Sequence, residues 1–183
     1  MKNVLIALLL LLISTASYSQ TIAFDKAEQD GSRKVGSTEL FVRNGFTDKS
    51  PFYYRIITIS RQKTVQYFLD IHINGDVPYS LKEGSLLLIK TSTNKILESK
   101  NIIPEYKTFD IPHNNIYGRY PFNESEITEI IKGIVKIRVE APLKTIDIEY
   151  SSKKTKQISK GLTERYNDIK KSLFIKKDIR SNF

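Results

Sequence analysis

Two histidines, His72 and His113, and a complete absence of cysteine narrow the chemistry open to this 183-residue chain. Thiol nucleophiles, thiolate zinc sites and disulfide exchange are excluded outright. Asp70 and His72 stand two residues apart in a segment of strand character, so they share one face and could form a carboxylate–imidazole pair. No nucleophile or third ligand lies near them in sequence, and the simpler expectation is a solvated strand face. Paired carboxylates could also flank a glycosidic bond. Asp147 and Glu149 share a strand face and Glu126 and Glu129 a helical turn, but carboxylates at a helix start already suit its positive end. The nucleophile elbow, phosphate loop and dinucleotide fingerprint are all missing. No residue is therefore singled out as catalytic, cofactor-binding or metal-ligating, and no cofactor is expected.

Aromatic residues offer a different use. Phe52-Tyr53-Tyr54 together with Tyr117 and Tyr120 come nearest to a stacking platform for a sugar. Strand alternation must turn some of these rings inward, so core packing is expected for most of them. Arg119 and Arg138 could each grip an anion, although a single Arg on a strand is usually solvated or ion-paired.

The elements that must position these side chains are mostly strands. Short strands are expected near Ile22 to Lys26 and Thr38 to Arg43. Phe52 to Arg61 and Val65 to Asn74 read as a hairpin, the second with Val65, Tyr67, Leu69, Ile71 and Ile73 facing the core. Leu86 to Thr91 and Ile96 to Lys100 form a second hairpin, Tyr106 to Ile111 an edge strand, and His113-Asn114-Asn115 a loop. Asn123 and Glu126 make a capping box for a short helix carrying Ile127, Ile130 and Ile131, which Gly133 closes. Val135, Ile137 and Val139, then Ile146, Ile148 and Tyr150, mark two paired strands on either side of Pro142. Last comes a helix whose stripe is Ile158, Leu162, Tyr166, Ile169 and Leu173. About eight strands, one inserted helix and one terminal helix predict an all-β or α+β class, an antiparallel sandwich or half-barrel.

Met1 to Ser19 has the three regions of a secretory signal peptide: Lys2, the apolar run Val4 to Ile13, and Ser17-Tyr18-Ser19 before a cut at Gln20. Its apolar run reaches only about 15 Å as a helix, short of a membrane core. With no Cys to carry lipid, a lipoprotein anchor is excluded, and no later segment of the mature chain is long and apolar enough to span. The organisation expected is a leader over 1–19, a β-rich domain over 20–150 and a basic amphipathic helix over 151–183 docked on it. Of the net charge of +9, the segment 151–183 carries +7, from ten Lys and Arg against three acidic residues. An exported protein meets little nucleic acid, so weak contact of this helix with anionic surfaces is the expectation.

The run from Tyr120-Pro121-Phe122-Asn123-Glu124-Ser125-Glu126-Ile127 through Gly133 to Ile134-Val135-Lys136-Ile137-Arg138-Val139-Glu140 resembles a piece of small exported proteins of Bacteroidota whose function is not established. The resemblance covers the last third of the chain and implies a capped helix feeding a Lys-Ile-Arg type strand, an acidic strand and a C-terminal helix. It implies an envelope location and carries no functional residue. The expected function is thus a non-catalytic binding or accessory protein, periplasmic or secreted, with an envelope protein or glycan as partner. The alternative is a carbohydrate-active or other hydrolase whose carboxylates converge in the fold.

Overall fold

The computed structural model describes residues 21–43, 51–74, 81–103, 115–141 and 144–181. Among these are ten strands, all paired antiparallel, and two helices. The leader, the expected strand at 106–111 and the residues His113 and Asn114 lie outside the described residues.

One sheet holds six strands: β1 (Ile22–Ala27), β2 (Arg33–Ser37), β3 (Leu40–Val42), β4 (Phe52–Arg61), β5 (Thr64–Asn74) and β8 (Asn115–Phe122). Its order is β1-β2-β4-β5-β8, with β3 lying along the other half of the β4 edge that β2 occupies. The second sheet has the order β10-β9-β6-β7, from β6 (Leu86–Thr91), β7 (Ile96–Lys100), β9 (Ile134–Ala141) and β10 (Lys144–Glu149). The short helix α1 (Glu124–Ile130) leads into β9, and the terminal helix α2 (Ser152–Ser181) follows β10. The antiparallel sandwich-like, α+β reading holds, and the two sheets do not close into a barrel.

Two differences from the sequence reading have local causes. The strand expected over Thr38 to Arg43 is instead a broken edge, β2 then β3, interrupted at Thr38-Glu39. There the Ser37 hydroxyl takes the place of a ladder partner for the Ile56 amide, at 3.1 Å. The carbonyls left at the break accept from the Arg165 guanidinium of α2, Thr38 from Nε and Glu39 from Nη2, both at 3.0 Å. Second, Val135 is only half-buried, because the register between β6 and β9 shifts at Lys90/Thr91. That bulge turns Ile134 into the core in its place. Val65, next to the hairpin turn, is also outside the core at 39% exposure.

The core lies between the inner face of the six-stranded sheet, the four-stranded sheet and α2. Phe52, Tyr54, Ile56, Leu69, Ile71 and Tyr120 contribute from one side, Leu87, Ile89, Ile137 and Val139 from the other. Ile127 and Ile130 of α1 and Ile158, Leu162 and Ile169 of α2 complete it, each fully buried. The capping box of α1 is formed on both sides, Asn123 Oδ1 accepting from the Glu126 amide at 2.9 Å and Glu126 Oε2 from the Asn123 amide at 2.8 Å. After α1 the chain turns at Gly133, whose φ of +128° suits a residue without Cβ. A Cβ there would also come within 2.9 Å of the Thr155 side chain on α2.

The sheets are joined at one corner by Asn101, 1% exposed. Its Oδ1 accepts from the amides of Ile103 and Arg119, and its Nδ2 donates to the carbonyls of Lys82 and Ile103. All of its hydrogen-bonding capacity is directed at backbone, which couples the end of β7 to β8.

Candidate functional site

Strand register builds two adjacent rows of side chains on the outer face of the six-stranded sheet. In the first, Phe41 of β3 stands opposite Tyr53 of β4, Tyr53 opposite His72 of β5, and His72 opposite Tyr117 of β8. Four rings from four strands thus form a continuous line. Phe41 and Tyr53 lie 5.1 Å apart between centroids, tilted by 52°, while Tyr53 and His72 stack at 5.0 Å and 24°. Phe41 is 53% exposed, and the other three are half-buried.

The second row is Arg55, Asp70 and Arg119. Asp70 is 2% exposed, so the solvated strand face expected for it is not what the fold makes. Its carboxylate accepts a bidentate pair from Arg119, at 2.7 and 2.8 Å, and a hydrogen bond from the Tyr117 hydroxyl. Burial, followed by the neighbouring Asp70 charge, pushes the Tyr117 hydroxyl well above its ordinary value, so it stays a donor. Hydrogen bonding to Asp70 raises Arg119 in turn. Arg55 donates to Glu39 at 3.1 Å, and Glu39 also faces His72 Nδ1 at 3.9 Å. The next pair on this face, Ile57 and Phe68, is buried apart from the main cluster, with the Arg119 guanidinium 5.9 Å from the Phe68 ring centre.

The other residues singled out in the sequence are dispersed. Phe52, Tyr54 and Tyr120 are core residues on the inner face. Tyr54 and Tyr150 share a buried hydroxyl–hydroxyl hydrogen bond of 2.7 Å, and the Tyr120 hydroxyl is buried without a partner. Asp147 pairs with Arg138 across β9 and β10 at 2.8 Å, which holds the Asp147 carboxyl below its usual value. Glu149 is exposed on the same strand. Glu126 belongs to the capping box. Glu129 is held by Lys132, Thr93 and Lys95, which lower its pKa from the ordinary 4.5 to about 2. Asp147, Glu126 and Glu129 are thus tied to separate cations or backbone rather than brought together. Among the described residues, no group of three or more His, Asp or Glu could hold a metal ion.

No family model, curated protein or solved structure matches the chain.

Sequence reasoning named Tyr53, Tyr117, Asp70, His72 and Arg119 separately. Phe41 and Arg55 it missed, and the signal that joins all seven is register, since β3, β4, β5 and β8 are brought together from segments up to about 80 residues apart. Among the described residues no helix is long and apolar enough to cross a membrane.

Proposed function

We propose that the chain is an exported, non-catalytic binding protein of the bacterial cell envelope, and that it takes a protein partner on the outer face of its six-stranded sheet. The observation that carries this reading is the line Phe41, Tyr53, His72, Tyr117 beside Arg55, Asp70 and Arg119. Tyr, Phe and Arg are the residue types enriched at protein interfaces. A protein suits this row better than a sugar does, because Tyr53 and His72 turn their ring faces to each other and leave mainly edges for a ligand. Sugar stacking needs an open face. The Arg119–Asp70–Tyr117 cluster holds its side chains in place before any partner arrives, which lowers the ordering cost of binding.

The envelope location rests on the leader-like Met1 to Ser19 and on the resemblance to small exported Bacteroidota proteins. Mass spectrometry of the protein recovered from a periplasmic or secreted fraction is expected to give Gln20 as the first residue. For the binding face, a photocrosslinker placed at Phe41 in living cells is expected to capture one recurrent protein, which the purified components then bind. Tyr53→Ala should weaken that binding at least tenfold with an unchanged circular dichroism spectrum. A full-strength complex with Tyr53→Ala, or crosslinking equally strong from exposed Ile96 at the far hairpin, would remove this face from consideration.

A further inference from the structure

At the foot of α2 lies a groove of about 490 Å³ between the start of that helix, the α1–β9 turn and the β6–β7 turn. Lys132 stands on one wall, and Lys156 and Lys160 on the other. The two helix lysines are four residues apart, so they rise about 6 Å along one face of α2. None of the residues lining the groove is acidic. Lys132 has a carboxylate partner in Glu129, at 2.6 Å, and that carboxylate is shared with Lys95.

The hydroxyls of the groove narrow the ligand further. Ser92 donates to the Lys132 carbonyl at 2.9 Å, Thr155 to the Ile134 carbonyl at 3.0 Å and Ser159 to the Ile131 carbonyl at 2.9 Å. Each proton is thereby committed to backbone, and each oxygen has only acceptor capacity left for a ligand. The hydroxyl of exposed Ser152, at the start of α2, can also donate, so a simple phosphate or sulfate would find donors there and in the lysines but would leave the three acceptor oxygens unused. The complement of three ammonium groups and three acceptor oxygens is a molecule with both negative groups and hydroxyl donors. Half-buried Val135 adds an apolar surface for ring carbons.

We infer that this groove binds an acidic oligosaccharide, with Lys132, Lys156 and Lys160 meeting its carboxylates and Ser92, Thr155 and Ser159 accepting from its hydroxyls. The site lies on a different part of the fold from the aromatic rows, and the inference stands without them. Lysine gives point-charge recognition rather than the bidentate fork of arginine, so binding should tolerate variation in linkage and weaken with salt.

The test is calorimetric titration of the full chain with an oligogalacturonate, a neutral malto-oligosaccharide of equal length, tripolyphosphate and anionic lipid vesicles. The oligogalacturonate is expected to bind, the neutral sugar not to bind, and tripolyphosphate to bind at least tenfold more weakly. Lys156→Gln with Lys160→Gln should cut oligogalacturonate affinity at least tenfold with unchanged melting, whereas Lys26→Gln with Lys63→Gln, on the other sheet, should leave it unaltered. Tripolyphosphate or vesicles binding as tightly as the acidic sugar, equal losses from both lysine pairs, or no binding of the acidic sugar at all would each overturn the inference.

Discussion

A carboxylate at 2% exposure on a sheet face requires nearly full compensation, and Asp70 receives it from one bidentate guanidinium and one phenol. Removing the guanidinium strands the charge. Arg119→Met is expected to lower stability by about 3–5 kcal/mol, whereas Asp70→Leu combined with Arg119→Met should recover most of that loss, because an apolar pair needs no compensation. Urea unfolding of the two variants checks this, and equal losses would show that the ion pair is not the source. Tyr120 is the converse case, a hydroxyl in the core with nothing to bond. Tyr120→Phe should raise stability by up to about 1 kcal/mol, since it removes a desolvated group that makes no compensating bond; a lower urea midpoint would contradict this. Glu129 gives a pH dependence of definite sign. Its folded pKa of about 2 lies below the ordinary 4.5, so its contribution is present above about pH 5 and is lost as pH falls through 4.5 toward 2. Glu129→Gln should therefore flatten the decline of the urea midpoint between pH 5 and pH 2.5, and an unchanged slope would assign that decline to other carboxylates such as Glu124 and Asp147, whose pKa values are also lowered.

At the scale of elements, what could be read in the sequence was whatever repeats locally. The β4–β5 and β6–β7 hairpins and the capping box of α1 depend on neighbours in the chain, and their residues declare them. Strand β2 was missed because Arg33, Lys34, Gly36 and Ser37 show no apolar alternation, and only Val35 joins the core cluster. Strand β8 was missed because Gly118 and Pro121 look like loop residues, yet among the described residues β8 ends its sheet and pairs there only with β5. Its far side is met instead by the corner that Asn101 builds, where the Ile102 amide donates to the Arg119 carbonyl. The candidate site was legible only in fragments for the same reason: Tyr53 and Tyr117 carry their types openly, but only pairing through β5 makes them neighbours of one line. Asn101→Ala tests the corner. It would leave several buried backbone groups without partners, and at about 1–3 kcal/mol for an unsatisfied group a loss of about 2–4 kcal/mol is expected. A loss below 1 kcal/mol in urea unfolding would mean that the sheets are held together by the core alone.

For the whole molecule, the question is what α2 does across the open side of the two sheets. Gly161 costs about 1 kcal/mol of helix propensity against Ala, but a Cβ at that position would lie 2.6 Å from a Leu40 methyl, so the glycine allows close approach to β3. Arg165 bonds the broken edge, the Thr21 hydroxyl donates to Asp168, and Arg33 reaches both Asp25 and the Ser172 carbonyl. On the other side Tyr166 and Lys170 hold Glu124 at the start of α1, at 3.0 and 2.5 Å. Ile158, Leu162 and Ile169 are fully buried, each contributing about 1.5–3 kcal/mol from apolar burial. Their sum is comparable with the whole stability of an ordinary domain, about 5–15 kcal/mol. Truncation before Ser151 is accordingly expected to abolish the cooperative melt and expose apolar core. Leu162→Ala, a milder change, should cost about 2–5 kcal/mol while leaving the fold intact. Lys153, Lys156, Lys160 and Lys171 are then an exposed charged surface on a structural element, and attraction of the full chain to anionic vesicles should be weak and vanish in moderate salt. A truncated chain that melts as sharply as the full one, together with salt-resistant vesicle binding by the full chain, would make α2 a membrane arm instead.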